Sequence, residues 1–360
     1  MSPLETVPTP SLVVDLDVMQ RNIEQMAGHA EAAGLTLRPH AKTHKTPQVA
    51  DRQRAAGAVG LTVATVAEAE VFAAAGHTDL FIAYPLWLDP ARAERIRSLL
   101  DEARLTLGVD SPESARRIAA QLGEDTGRVR IVIEVDSGQH RSGAPPEDAG
   151  LLAEAARHVG LDVRGVFTFP GHSYSPGARE VVAAQELAAL TRASAALRRH
   201  GVESGVVSGG STPTAVLTSR DPGPLTELRP GVYVFGDAQQ WELGTIDPSQ
   251  IALTCWATVV SHAGGRVVLD SGSKVLGADR SAWVTGHGRL LDHPGARIVQ
   301  LSEHHAVVEW DDGPVPPLGS RLRVVPNHAC NAVNLVDELL AVSDGQLVAQ
   351  WPVAARGANT

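Results

Sequence analysis

From about residue 14 to residue 240 the chain alternates short β-rich runs with alanine-rich stretches of helical periodicity, and this rhythm limits the fold more than any other feature. The expected strands are LTLRPHAK (35–42), GLTVATV (60–66), DLFIAYP (79–85), LTLGVD (105–110), VRIVIEVD (129–136), VRGVFTF (163–169), GVVSGGS (205–211) and GVYVFGD (231–237). Helical segments such as 66–76, 111–123 and 178–201 separate most of them. Eight strands in this alternation fit an α/β fold of the (β/α)8 TIM-barrel type better than an open sheet. Side-chain size agrees: aromatics make up only 4% of the chain, and small aliphatic residues let helices lie close on a sheet.

After about residue 245 the texture changes. Runs such as IALTCWATVVSHAGGRVVLDSGS, ARIVQLSEHHAVVEW and RLRVVPNHACNAVN read as strands broken by Gly, Asp and Pro, which predicts a C-terminal all-β domain. The expected domains are a barrel over 14–243 and a β-domain made of 1–13 plus 244–360, the N-terminal strand being read as part of the latter.

A net charge of −10 excludes a duplex-binding role, which needs a basic stripe to displace counterions. No apolar core of a signal peptide follows Met1, and no window approaches the ~18 consecutive apolar residues of a membrane span, so a cytoplasmic protein with no membrane partner is expected. Two cysteines, Cys255 and Cys330, make no disulfide framework; each is a free thiol or a metal ligand.

Active sites of such barrels sit at the C-terminal ends of the strands. If LTLRPHAK is a strand, period-2 alternation puts Arg38, His40 and Lys42 on one face and leaves Lys45 with the opposite parity, beyond the strand end. A lysine held in a barrel mouth loses hydration and becomes a Schiff-base candidate; a salt-bridged structural lysine is the alternative. The glycine-rich GGST after the seventh expected strand and Gly231 before the eighth would cradle a phosphate through the N–H groups of Gly209, Gly210, Ser211, Thr212 and Gly231. Lysine and cradle together suit pyridoxal 5'-phosphate. In VVPNHAC, His328 and Cys330 in an extended chain point the same way, ~6–7 Å apart. One nitrogen and one sulfur favour zinc, with coordination positions left open.

RPHAKTHK (38–45), DSGQHRSG (136–143), GGSTPT, TELRPGVYVFGDAQQ and PNHAC, in this order over nearly the whole chain, resemble the D-serine dehydratase and D-threonine aldolase family. That family belongs to the fold type III pyridoxal phosphate enzymes, with an alanine racemase-like barrel and a C-terminal β-domain. The resemblance implies that Lys42 is the Schiff-base lysine, with His40 on the cofactor side of the pocket. It also implies that Arg141 steadies the cofactor's phenolic oxygen or a nearby lysine, that Tyr174 and Tyr233 line the cofactor, and that His172 lies near metal or substrate as a catalytic group. His328 and Cys330 match the zinc pair of the dehydratases, where D-threonine aldolases carry HxD. Asp237 and Gln240 are site residues or loop caps. His304 departs from the family pattern. Arg229 of LRPG looks racemase-like, and beside the pyridine nitrogen it would keep that nitrogen unprotonated.

The implied activity is a pyridoxal phosphate and zinc dependent lyase on D-3-hydroxy amino acids, most like D-serine dehydratase, with D-threonine aldolase as the alternative. A racemase needs a second base opposite Lys42 that the sequence does not reveal. A cofactor-binding protein without strong activity would lack the β-domain and the metal pair. By resemblance the enzyme is a homodimer.

Overall fold

The computed structural model describes residues 7–311 and 313–360, so residues 1–6 of the expected segment 1–13 lie outside the described residues. The chain divides into two compact units. One comprises the described residues up to Glu24, then Thr43–Gln48 and Val232–Gly357; the other comprises Gln25–Lys42, Val49–Gly231 and Ala358–Thr360.

The second of these is the barrel. Its eight parallel strands are β2 (Thr36–Leu37), β3 (Leu61–Val63), β4 (Asp79–Pro85), β5 (Arg104–Val109), β6 (Arg130–Glu134), β7 (Asp162–Phe167), β8 (Val206–Gly209) and β9 (Glu227–Leu228), which follow β1 (Ser11–Asp15) of the other unit. They lie in the order β2-β9-β8-β7-β6-β5-β4-β3. The ring closes where Thr62 N–H donates to Pro39 O and His40 bridges Thr62. Phe81, Val132 and Phe167, from β4, β6 and β7, form one apolar cluster. Strand alternation puts Arg130 and Glu134 on the same face as Val132, at opposite ends of β6. Apolar packing therefore separates two polar ends.

Six of the expected strands stand within a few residues of where the pattern put them. Two do not. LTLRPHAK keeps strand geometry only at Thr36–Leu37, and GVYVFGD is a 3-10 turn at Val232–Val234 preceded by the true eighth strand, Glu227–Leu228. The cause is the same in both: Pro39 and Pro230 lack the N–H that would continue a ladder.

In the other unit, a nine-stranded sheet runs β11-β14-β13-β12-β15-β10-β1-β16-β17, with β10 also paired to β11. These strands are β10 (Leu253–Ser261), β11 (Val267–Leu269), β12 (Arg289–Leu290), β13 (His293–Leu301), β14 (Ala306–Glu309), β15 (Arg321–Val325), β16 (Glu338–Ser343) and β17 (Gln346–Pro352). β1 pairs antiparallel with β10 and parallel with β16, so the N-terminal strand belongs to the β-unit. Cys255 is fully buried in β10, and burial pushes its thiol far above the usual range; it is a packing residue. His304 is exposed between β13 and β14. Among the described residues no helix is long and apolar enough to cross a membrane.

Candidate active site

Because β2 ends at Leu37, strand parity does not place Lys42. The chain instead turns: His40 N–H donates to Pro230 O at 3.0 Å, and a 3-10 turn over Ala41–Thr43 carries the lysine. His40 is buried, and its Nδ1 accepts from the Lys42 N–H at 3.4 Å, so the imidazole props the turn. Lys42 Nζ then lies 5.6 Å from the centroid of the Phe169 ring, with Arg141 Cζ 5.3 Å from the same centroid and the Tyr174 ring 6.3 Å away. Cations favour the negative face of an aromatic ring. Phe169 thus gathers three of the expected cofactor residues around one side chain.

Lys45 belongs to the β-unit. It is buried with φ of 52°, its Nζ donates to Ala355 O at 3.2 Å, and its own carbonyl accepts from the Ala355 N–H at 3.0 Å. It clasps the C-terminal segment within the β-unit.

After β8 the chain makes the expected glycine loop and enters a short helix, Thr212–Thr218, capped by Ser211. Two of the N–H groups assigned to a phosphate have internal acceptors. Gly210 N–H donates to Glu186 Oε1 at 2.5 Å, and Ser211 N–H donates to Thr214 Oγ1 at 3.0 Å. Both glycines are needed for what lies behind them: a Cβ on Gly209 would come within 2.5 Å of Glu186 Oε1, and one on Gly210 within 2.9 Å of Leu228. Behind the loop, buried hydroxyls form a chain from Ser173 Oγ to Ser211 Oγ at 2.9 Å and on to Thr214 Oγ1 at 3.0 Å. Thr212 is buried at the first helical position, and Gly231 is half-buried. Tyr233 is buried in the turn Val232–Val234 of the other unit.

Glu186 comes from the long helix Arg179–Arg199 and is completely buried. Burial raises its pKa to about 7 against the Gly210 N–H, the Thr214 hydroxyl and Arg229. Arg229 is itself buried, with Nε donating to Ser208 Oγ at 2.8 Å, Nη2 donating to Thr168 O, and its guanidinium over the Phe81 and Phe167 rings. It is an interior brace of the barrel, and burial pushes its pKa down against Glu227, Glu186 and Glu134.

His172 stands in the 3-10 turn after β7, its Nε2 2.9 Å from Gln185 Oε1 and its Nδ1 buried without a partner. With the amide oxygen accepting from Nε2–H, the Nδ1 lone pair is the basic site.

The expected metal pair is in the β-unit. His328 and Cys330 do not lie on a strand; they sit at the start of the helix Ala329–Leu335, with His328 as its cap. His328 Nδ1 is 2.6 Å from Asp279 Oδ2, and Cys330 lies within hydrogen-bonding reach of His328. Burial works against charge on His328, but Cys330 and Asp279 prevail and hold its pKa well above the usual imidazole range. A ring nitrogen anchored on a carboxylate leaves the other for a metal, which is the usual environment of a histidine ligand. Cys330 Sγ also lies 3.3 Å from Thr43 Oγ1. Among the described residues no group of three His, Cys, Asp or Glu side chains is arranged to hold an ion.

Asp237 is a cap. Its Oδ1 accepts from the Gln240 N–H at 2.9 Å and its Oδ2 from the Ala329 N–H at 3.2 Å, and burial raises its pKa to about 6. It joins DAQQ to the His328 turn. Gln240 keeps a buried Oε1 without a partner.

Phe169, Glu186 and Asp279 went unread in the sequence. Phe169 looks like one more core aromatic at a strand end, and Glu186 like one polar residue of a helix. No local spacing ties Asp279 to His328, 49 residues away.

These residues fit pyridoxal phosphate: an amine and a guanidinium share one aromatic ring, and a glycine loop is backed by a chain of buried hydroxyls. The comparisons with known proteins agree. The family model described as alanine racemase, N-terminal domain, matches residues 14–239, and that of a putative serine dehydratase domain matches 252–342. D-threo-3-hydroxyaspartate dehydratase of Delftia sp. (strain HT23) is 40% identical, over 91% of this chain and 92% of that protein. The crystal structure of D-threonine aldolase from Filomicrobium marinum superposes with a TM-score of 0.90 at 32% identity, over 99% of this chain and 98% of that one. A cysteine-to-alanine variant of D-threo-3-hydroxyaspartate dehydratase in the metal-free form gives 0.90 at 36% identity, over 98% and 99%. The chain belongs to the D-serine dehydratase and D-threonine aldolase family of alanine racemase-like, fold type III pyridoxal phosphate enzymes.

Proposed function

We propose that the protein is a pyridoxal phosphate and zinc dependent dehydratase of D-3-hydroxy amino acids such as D-serine, releasing a 2-oxo acid and ammonia. The observation that carries this reading is the His328–Cys330 pair with Asp279 behind the imidazole, a nitrogen and sulfur donor set suited to zinc. Pyridoxal phosphate supplies an aldehyde for the substrate amine and a conjugated ring that accepts the electrons left at Cα, while zinc supplies Lewis acidity for a hydroxide leaving group. Lys42 Nζ holds the cofactor and takes the α-proton. Arg141 orients the lysine side of the pocket across Phe169, and Ser173, Ser211 and Thr214 hold the phosphate end on the platform that Glu186 braces. Asp279 keeps a proton on His328 Nδ1, so that Nε2 is the nitrogen presented to the metal.

A second reading, a D-threonine aldolase, is favoured by His172. Its partnerless Nδ1 is suited to take a 3-hydroxyl proton and so direct cleavage to the Cα–Cβ bond.

Purified enzyme incubated with D-serine, D-threo-3-hydroxyaspartate and D-threonine, with and without a chelator, tests both. A 2-oxo acid with ammonia supports dehydration, and glycine with an aldehyde supports the aldolase. Undiminished activity after complete metal removal overturns the zinc mechanism. A homodimer is proposed on the resemblance alone, and sedimentation of the holoenzyme tests it.

A further inference from the structure

The N-terminal end of the barrel, remote from the strand ends that carry Glu134 and the glycine loop, contains a cavity of about 210 Å³ lined by Arg38, Thr106, Arg130, Arg164, Gly205 and Glu227. Its charges are unevenly satisfied. Arg38 is paired twice, to Asp79 and to Glu227, each at 2.7 Å. Asp79 gives its other oxygen to Arg104 at 2.5 Å, and Glu227 gives its other oxygen to the Ser208 hydroxyl at 2.7 Å. Arg164 is held by Asp162 at 2.6 Å.

Arg130 is the exception. It is half-buried, yet its guanidinium makes no hydrogen bond or ion pair with any described residue, and each oxygen of Asp79 and Glu227 already accepts from another group. Burial works most against its cation, followed by the like charges of Arg104 and Arg164, while the Asp79 and Asp162 carboxylates, each bound to another arginine, favour it less. The register sets Thr106 of β5 directly beside it, with a hydroxyl at the cavity wall, while Phe81 and Val132 close the cavity on the barrel side. A forked donor beside a cavity, with no ion pair to any described residue, is the arrangement that binds a planar or tetrahedral oxyanion by two parallel N–H bonds.

We propose that this cavity is a binding site for a small oxyanion, inorganic phosphate or a short dicarboxylate, with Arg130 as its main donor and Thr106 as a second. The anion supplies the ion-pair partner that no described residue gives Arg130. Binding only to the folded barrel, it raises stability by mass action. The site uses none of the residues assigned to the cofactor, the metal or the reaction, and it stands whichever reaction the enzyme performs.

The test uses the holoenzyme, so that the cofactor's own phosphate cradle is filled. Inorganic phosphate and malate are titrated separately against chloride at constant ionic strength, following Tm and the heat of binding. Saturable binding of one equivalent of either anion, with Tm rising with its concentration, is expected; which anion acts identifies the source of the charge. Arg130→Gln should weaken that binding about tenfold or more, the loss of a charge-assisted bond, with turnover unchanged. Thr106→Val should weaken it in the same direction, and it decides the matter if the arginine variant does not fold. Neither anion raising Tm above chloride, or Arg130→Gln responding as the natural protein does, overturns the proposal.

Discussion

The two polar ends of the barrel treat charge in opposite ways. At the N-terminal end, Arg38, Asp79, Arg104 and Glu227 neutralise one another through direct ion pairs between β2, β4, β5 and β9. At the C-terminal end the carboxylates are buried against neutral donors. Glu134 accepts from the Ser142 hydroxyl, and Glu186 from Gly210 N–H and the Thr214 hydroxyl. Burial raises the pKa of both. The cations Lys42 and Arg141 lie over Phe169. Ion pairs spend charge on joining strands, whereas the buried carboxyls of the other end make their hydrogen bonds to neutral donors.

The comparison breaks most sharply at the two lysines. Lys42→Ala is expected to lower turnover by on the order of 10³-fold or more and to abolish the cofactor's lysine-bound absorbance. Lys45→Ala should keep that absorbance and lose stability instead. A spectrum that vanishes with Lys45 and survives with Lys42 would reverse the assignment.

A smaller effect is expected at the opposite end. Asp79→Asn removes the acceptor shared by Arg38 and Arg104 and should cost about 3 kcal/mol in denaturant unfolding, as breaking a largely buried pair does. The kcat of the folded, cofactor-loaded enzyme should stay within about twofold. A large fall in kcat would show that the two ends are coupled.

Glu186 gives the finest test, through pH. Its carboxyl titrates near 4.5 when unfolded and about 7 when folded, so the folded state holds its proton more tightly. Its contribution to stability is therefore present below pH 4.5 and is lost as pH rises to about 7, with a slope of up to about 1.4 kcal/mol per pH unit. Glu186→Gln should remove that slope and leave the curve above pH 7 parallel to the natural protein's. Denaturation of both holoenzymes at pH 5, 6, 7 and 8 measures it, and equal slopes would mean that Glu186 does not titrate there.

Particular residues show how far sequence reading reached. β4 and β5 were legible because their apolar runs are bounded by polar turns, a local property. The eighth strand was not, because VYVF is as apolar as a strand, and only Pro230 and the pairing of Glu227–Leu228 with β2 and β8 decide otherwise. Lys42 was selected, but through an alternation that the chain does not follow. What brings it to Phe169 is the turn after Pro39. The spacing of His328 and Cys330 was visible; that they open a helix, with Asp279 behind the imidazole, was not.

By itself the sequence determined the βα rhythm, the separate β-rich half and the residue types able to carry an amine, a phosphate and a metal. These follow from periodicity and from side-chain chemistry, which are local. Only the tertiary structure decided which lysine reaches the aromatic platform, which glycine N–H group is taken by a buried carboxylate, and that Arg130 makes no ion pair with a described residue. Each depends on segments far apart in the chain meeting at a few ångströms, and burial and charge at such meetings have no counterpart in local spacing.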